Sequence, residues 1–378
     1  MTLVFMSPFS SSRAISCVRV RSGIRARARI RTHSLDIASV SVVARDYDAF
    51  LLDQFGVLHD GVNAYDGALK CVEELRAIGP LYVVSNSSRK SSGTMEKLAK
   101  MGFARAAFAG AKTSGDCAAA FIHACANKGR VSEGNKKLND EMMTCFASEA
   151  IARGVRERGK ARCAHVTWSA RGSISLADVE RDVEVVDVDD FAVDRSCVEK
   201  IDFLLIHGTE AFGREGGKGV NEKSIDDVRA FVEECAAARV PCVVANPDFV
   251  TVSGDELITM PGTLGKWYVD AFQLAHGASE NEARAYVRLT GKPDAMIYEA
   301  LLLDIERASG KTLDKSRVLA VGDSLEHDIV GASRAGIDTL FIRNGIHARD
   351  IERDGAERLI QAHAAEARPK YHTATFTW

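Results

Sequence analysis

The sequence predicts an α/β protein, with a Rossmann-like parallel-sheet core interrupted by a large inserted α/β domain. Three observations carry this. Short apolar runs alternate with helical patterns from Ala49 to Met101, as in βαβ units. The alternation gives way near Thr113 to a second α/β stretch and resumes near Val287. The apolar runs on either side of that stretch end in polar residues, at Asp53, Ser85 and Gly322-Asp323.

In chain order, the first segment is unlike the rest. Met1 to Ser34 holds Arg13, Arg19, Arg21, Arg25, Arg27, Arg29 and Arg31, is rich in Ser, and has no Asp, Glu or Lys. That is the composition of an organellar transit peptide, expected over residues 1–34. The uncharged first twelve residues favour a chloroplast over a mitochondrion. A basic arm that binds nucleic acid is the competing reading, but no aromatics interleave the arginines. Without these seven arginines the formal net charge goes from −3 to −10, and so acidic a body argues against nucleic acid as a partner.

A fold then begins near Asp46. Ala49 to Leu52 reads as a buried strand ending at Asp53. A helix follows from Asp66 with Leu69, Val72, Leu75 and Ile78 inward, closed by Gly79-Pro80. Leu81 to Val84 is the next strand, ending at Ser85, and a helix from Arg89 to Met101 stops at Gly102. A further helix is expected over Ser114 to Ala126. Residues 127–160 read as polar and irregular. Strands are expected at Ala164 to Trp168, Val183 to Val188, Phe203 to His207 and Val240 to Ala245, with a helix from Ser224 to Ala238. The core pattern resumes with a helix at Ile297 to Ile305, a strand at Val318 to Val321, a helix through Ile329 to Ala335 and a strand at Thr339 to Ile342. The expected organisation is a core of residues 46–112 and 287–344, an inserted domain over 113–286 and a C-terminal tail over 345–378.

Hydrophobic residues make up 46% and charged residues 27% of the chain, the balance of a globular protein, with no apolar run long enough for a membrane span. Nine scattered cysteines with no Cys-x-x-Cys pair read as buried thiols rather than a zinc site. No Gly-x-Gly-x-x-Gly follows a strand, which disfavours a dinucleotide-binding oxidoreductase. The glycine-rich run from Gly208 to Gly219 fails the spacing of a phosphate-binding P-loop and reads as a flexible loop.

In open parallel sheets ligands bind beyond the carboxyl ends of the strands. There the chain carries Asp53-Gln54-Phe55-Gly56-Val57-Leu58-His59-Asp60-Gly61, then Ser85-Asn86-Ser87-Ser88, Gly291-Lys292-Pro293, and Gly322-Asp323-Ser324-Leu325-Glu326-His327-Asp328. Two carboxylates from different strands, Asp53 and Asp323, suit a hard cation such as Mg²⁺. Ser85 and the N–H groups after it suit a phosphate. Lys292 can neutralise both the phosphate and a carboxylate nucleophile, so the set points to phosphoryl transfer through an aspartyl-phosphate.

Together these segments resemble the haloacid dehalogenase-like hydrolase superfamily and its class IIA branch. The likeness extends over about Tyr47 to His347. Thr113-Ser114-Gly115 and Asn246-Pro247-Asp248 stand where that branch enters its cap and leaves the last cap strand. The resemblance implies Asp53 as nucleophile and Lys292 as charge clamp. It implies Ser85, Asn86 and Ser87 as substrate-binding residues. Asp53, Asp323, Asp328 and the backbone carbonyl of Phe55 would hold Mg²⁺. It implies a small phosphorylated substrate and leaves self-association through the cap open, while the acidic body and short apolar runs argue against nucleic-acid and membrane partners.

The sequence departs from that family in one place. The first motif there is Asp-x-Asp, and its second Asp is the general acid/base; here Phe55 replaces it. A little-characterised class IIA subgroup with Asp-x-Phe/Trp-Gly-Val-Leu-His reads the same way. His59 is the expected stand-in, because histidine titrates near neutral pH. Two functions remain open: a phosphatase or phosphotransferase, and a catalytically weak relative that binds a phosphorylated ligand or protein partner.

Overall fold

The computed structural model describes residues 34–130, 145–189, 195–253 and 256–378. The expected transit peptide, up to Thr32 and His33, lies outside the described residues.

Seven parallel strands form the first sheet, in the order Leu35–Asp36, Tyr371–Thr373, Asp338–Ile342, Val318–Gly322, Ala49–Leu52, Leu81–Ser85 and Gly110–Thr113. Ala49–Leu52, buried at every position, lies near the middle, with Val318–Gly322 on one side and Leu81–Ser85 on the other. Strands buried on both faces read as unbroken apolar runs, which is why Phe-Leu-Leu and Val-Leu-Ala-Val were visible in the sequence. The helices Ala68–Arg76, Ser91–Lys100 and Ala295–Ser309 cover this sheet and bury Val72, Leu75, Leu98, Ile297, Leu301 and Ile305. Leu69, expected inward, is 40% exposed; Ala68 and Cys71 take the buried face instead.

A second sheet is built entirely from residues between Ala161 and Leu289. Its order is Val287–Leu289, Cys242–Val244, Phe203–Ile206, Ala161–Thr167, Ala211–Gly213 and Val220–Glu222, with Val183–Val185 also paired to Ala161–Thr167. The first four run parallel; Ala211–Gly213 and Val220–Glu222 are antiparallel to their neighbours. Two apolar clusters pack this layer, and they draw only on residues between Ala118 and Leu289. The clusters of the first sheet draw on the chain before Cys117 and after Ala295, with Cys117 itself the last residue on the core side.

Several expectations are corrected. Val287–Leu289 is the edge strand of the second sheet, so the first layer resumes only after it. Residues 345–378 are no tail: helices Ala348–Asp354 and Ala356–His363 lead to Tyr371–Thr373, which pairs with both Asp338–Ile342 and Leu35–Asp36. Tyr371 and Phe376 are buried in the main core cluster beside Val40 and Val43. Within the stretch read as irregular, Phe146–Arg158 is a helix that buries Ala147, Ala150, Ile151 and Val155. Its buried face is mostly alanine, too weak a stripe to stand out. Pro261–His276, a long helix, carries Gly262 and Gly265, which read as breakers but are contact points. A Cβ on Gly262 would lie 2.1 Å from the carbonyl oxygen of Pro247. The expected flexible loop of Gly208 to Gly219 is mostly a β-hairpin, whose tip needs Gly216, Gly217 and Gly219 at φ of +66°, +69° and +103°. Among the described residues no helix is long and apolar enough to cross a membrane.

Candidate active site

The three central strands of the first sheet deliver three functional side chains to one place. Asp53 follows Ala49–Leu52, and its N–H still donates to Val321 at 2.9 Å, so the sheet fixes its backbone. Asp323 follows the adjoining Val318–Gly322, and Ser85 ends the strand on the other side. Asp328 comes from the first helical turn after Asp323.

Lys292 ties this cluster together. Its Nζ donates to Asp53 Oδ1 at 2.5 Å and to Asp328 Oδ1 at 2.7 Å. All five side chains are buried, Lys292 with only 3% of its surface exposed. Burial works against the ammonium charge, but Asp328 and Asp53 outweigh it and hold Lys292 protonated well above its ordinary range. Asp53 is pushed up to about 7, chiefly by burial, against the pull of Lys292. Asp323 is pushed well above the carboxylate range, first by burial and then by the charges of Asp53 and Asp328. Three carboxylates thus share one cation. One oxygen from each of Asp53, Asp323 and Asp328 lies within 4.8 Å of the others. Such a buried excess of negative oxygen is the environment of a hard divalent ion, and these residues fit one.

Glycines make room for the carboxylates. A Cβ on Gly56, whose φ is +82°, would fall 1.8 Å from Asp323 Oδ2, and one on Gly345 would fall 2.1 Å from it. The N–H of Ile346 donates to that same oxygen at 2.7 Å. Gly322 leaves space for Asp328, whose Oδ2 accepts from the N–H of Ser324 at 3.1 Å. The backbone at Gly56 therefore runs against the Asp323 carboxylate. Gly345, Ile346 and Tyr298, whose hydroxyl donates to the Asp328 carbonyl at 3.2 Å, escaped the sequence reading. The one available signal was that Gly345 lies just past a strand end, beyond Ile342.

Ser85 is placed to donate. Its Oγ accepts from Gln54 Nε2 at 2.5 Å and from the Ser87 N–H at 3.1 Å. A hydroxyl accepts twice and donates once, so the proton remaining on Ser85 is the one free to meet a ligand oxygen. Asn86, expected to bind substrate, has its amide fully engaged within the protein. Asn86 Oδ1 accepts from the Lys292 N–H at 2.7 Å and from Ser114 Oγ at 3.2 Å. Its Nδ2 donates to Asp248 Oδ1 at 2.8 Å and to the Lys292 carbonyl at 3.1 Å. The amide has no further valence for a ligand. Ser87 donates its N–H to Ser85 Oγ, its carbonyl accepts from the Gly115 N–H, and its Oγ accepts from the Arg89 N–H at 3.2 Å, which leaves its own hydroxyl proton to donate.

His59, the expected stand-in for the missing acid, is buried beside Phe55. Its Nδ1 accepts from the Gly61 N–H at 2.9 Å, and the ring stands edge-on to Phe55 with centroids 6.0 Å apart. Burial pulls the imidazole down to about 4, with Lys97 adding to the effect. It is neutral near pH 7, with its acceptor nitrogen already engaged. With Nδ1 accepting, the ring proton sits on Nε2, which is buried and has no hydrogen-bond partner among the described residues.

Comparison with known proteins agrees with this fold. Residues 50–160 match the family model described as haloacid dehalogenase-like hydrolase, and residues 289–372 match the HAD-hydrolase-like model. A glycerol-3-phosphate phosphatase of Gallus gallus is 24% identical over 320 residues, covering 84% of this chain and 86% of that protein. Among solved structures, a haloacid dehalogenase-like hydrolase from Brucella suis 1330 superimposes with a TM-score of 0.59 at 22% identity, over 89% of this chain and 98% of that one. A glycerol phosphate phosphatase from Mycobacterium tuberculosis, in complex with magnesium, gives 0.52 at 20% identity, over 88% and 77%. The chain belongs to the haloacid dehalogenase-like hydrolase superfamily, in its class IIA branch.

Proposed function

We propose that this protein is a Mg²⁺-dependent phosphatase or phosphotransferase acting on a small phosphorylated metabolite, with Asp53 as nucleophile. The observation that carries the reading is Lys292 Nζ bridging Asp53 and Asp328 while a third carboxylate, Asp323, shares the same buried volume. The relatives named as phosphatases support the class of reaction.

Asp53, Asp323, Asp328 and the Phe55 carbonyl would hold the metal, which when bound supplies positive charge to the phosphoryl oxygens and keeps the carboxylates ionised. Asp53 attacks phosphorus with one carboxylate oxygen. The new O–P bond forms as the bond to the ester oxygen breaks, and the electron pair leaves with that oxygen. Lys292 offsets negative charge as the phosphoryl group arrives, and Ser85 donates to one of its oxygens. Water then releases phosphate from Asp53. Phe55 offers no proton to the departing oxygen, so esters whose leaving group is already acidic are favoured.

The test is turnover of aryl and alkyl phosphates with Mg²⁺, set against Mg²⁺-dependent binding of BeF₃⁻. Wild type is expected to hydrolyse aryl esters faster than alkyl ones, and Asp53→Asn to hydrolyse neither. Activity surviving in Asp53→Asn rejects the nucleophile assignment. The neutral, engaged His59 and the ring of Phe55 favour one second reading, a catalytically weak relative that binds a phosphorylated ligand or protein partner. BeF₃⁻ binding with no turnover would select it.

A further inference from the structure

The chain enters the second layer at Thr113–Ser114 and returns from it at Thr290–Gly291, and both crossings meet at Asn86. Ser114 Oγ donates to Asn86 Oδ1, and the N–H and carbonyl of Lys292 bracket the same amide. Thr290 Oγ1 donates to the Ser114 carbonyl at 3.1 Å. The orientation of Asn86 is fixed by chemistry: the Lys292 N–H can only donate, and the Lys292 carbonyl and Asp248 carboxylate can only accept. There is no slack here. Gly291, at φ +110°, would place a Cβ 1.8 Å from Ser114 Oγ and 2.6 Å from Asn86 Oδ1.

Asp248 is the one partner of Asn86 drawn from the body of the inserted layer rather than from a crossing. It is rigidly held. Its N–H donates to Asn246 Oδ1 at 2.8 Å, and its carbonyl accepts from the Gly262 N–H at 2.9 Å, at the start of helix Pro261–His276. Its Oδ1 also lies 3.4 Å from Nδ1 of His327, the residue before Asp328. Asp248 stands outside the carboxylate cluster that Lys292 bridges. We infer that Asp248 is a positioning residue: through Asn86 it couples the seating of the inserted layer to the placement of Lys292. A charged acceptor on Nδ2 strengthens the amide's grip on the Lys292 backbone, because hydrogen bonds in a chain polarise one another. Substrate enclosure and catalytic competence are thereby linked. The inference rests on the reading of Lys292 as the charge clamp.

The test uses the full chain with Asp248→Ala and Asp248→Asn, and two readouts. One is kcat and KM for 4-nitrophenyl phosphate with Mg²⁺. The other is hydrogen–deuterium exchange of the peptide over residues 286–294, without metal or ligand. Asp248→Ala is expected to lower kcat by about 10-fold or more with little change in KM, as for a misplaced catalytic group, and to speed exchange at the Lys292 amide. Asp248→Asn, whose oxygen still accepts from Asn86 but without the charge, is expected to restore most of both. Should Asp248→Ala fail to fold, Asp248→Ser, too short to reach Asn86, is read the same way. Unchanged exchange overturns the coupling, as does a rise in KM alone or a failure of Asp248→Asn to restore either quantity. If wild type hydrolyses no phosphate ester, the phosphatase reading fails, while the exchange experiment still decides the coupling.

Discussion

At position 55 a half-buried phenyl ring stands where the resemblance led one to expect an acid, and its edge lies 3.0 Å from where a Cβ on Gly61 would sit. Phe55→Asp restores a proton donor two residues from the nucleophile. It is expected to raise alkyl-ester hydrolysis by up to roughly 10²–10⁴-fold, the usual worth of general acid–base catalysis. Steady-state rates beside a melting curve check this, because the ring's packing against His59 is lost at the same time. Gly345 gives a second expectation. Its Cα lies so close to Asp323 that Gly345→Ala must displace the carboxylate. A shift of about 1 Å in such a group costs on the order of 10²-fold, so kcat and Mg²⁺ affinity should both fall while the melting temperature changes little. Asp53, Ser85, Lys292 and Asp323 were legible in the sequence because each is a polar residue at or near the end of an apolar run. The full engagement of Asn86 was not legible, because its partners Lys292 and Asp248 lie more than 160 residues away. The neutrality of His59 was equally hidden, since burial rather than residue type sets it.

At the scale of elements, the last residues of the chain carry more of the fold than their composition suggests. Tyr371–Thr373 is inserted between Leu35–Asp36 and Asp338–Ile342, and the Thr377 carbonyl accepts from the Val40 N–H at 3.0 Å. Truncation after Ala364 would strip a partner from both neighbouring strands and open the cluster that Tyr371 and Phe376 close. Loss of cooperative thermal unfolding is expected. Phe376→Ala alone should cost roughly 3–5 kcal/mol, as for a buried phenylalanine, read from denaturant midpoints. A sequence reading passes over this strand because Tyr-His-Thr is three residues long and lacks an apolar run. The same cause, shortness, hid Leu35–Asp36. Long apolar strands and helices with leucine and isoleucine faces were found, whereas Phe146–Arg158 and Pro261–His276 were missed. The first buries mostly alanines, and in the second Pro261, Gly262 and Gly265 interrupt the stripe of Leu264, Tyr268, Val269 and Phe272.

On the scale of the whole molecule, the apolar clusters divide cleanly at Cys117 and Leu289, so the first layer keeps its own core when the second is removed. Replacing residues 118–289 with a short linker should therefore leave a foldable protein, because the first layer's own apolar contacts stay intact. The edge placement of Val287–Leu289 moves the second cut past the boundary at Tyr286 that the sequence suggested. What such a protein lacks is enclosure of the substrate and the Asp248 contact to Asn86. Selectivity among phosphate esters should collapse, because the remaining open strand ends offer only the phosphate contacts common to all of them. Turnover of 4-nitrophenyl phosphate should fall as well, and by a similar factor to Asp248→Ala, because both changes remove the same anchor from the Lys292 backbone. BeF₃⁻ binding with Mg²⁺ should survive, because Asp53, Asp323, Asp328 and Ser85 all belong to the first layer. A shortened protein that hydrolyses a metabolite panel with unchanged selectivity and full kcat would show that neither substrate choice nor the placement of Lys292 depends on the inserted layer.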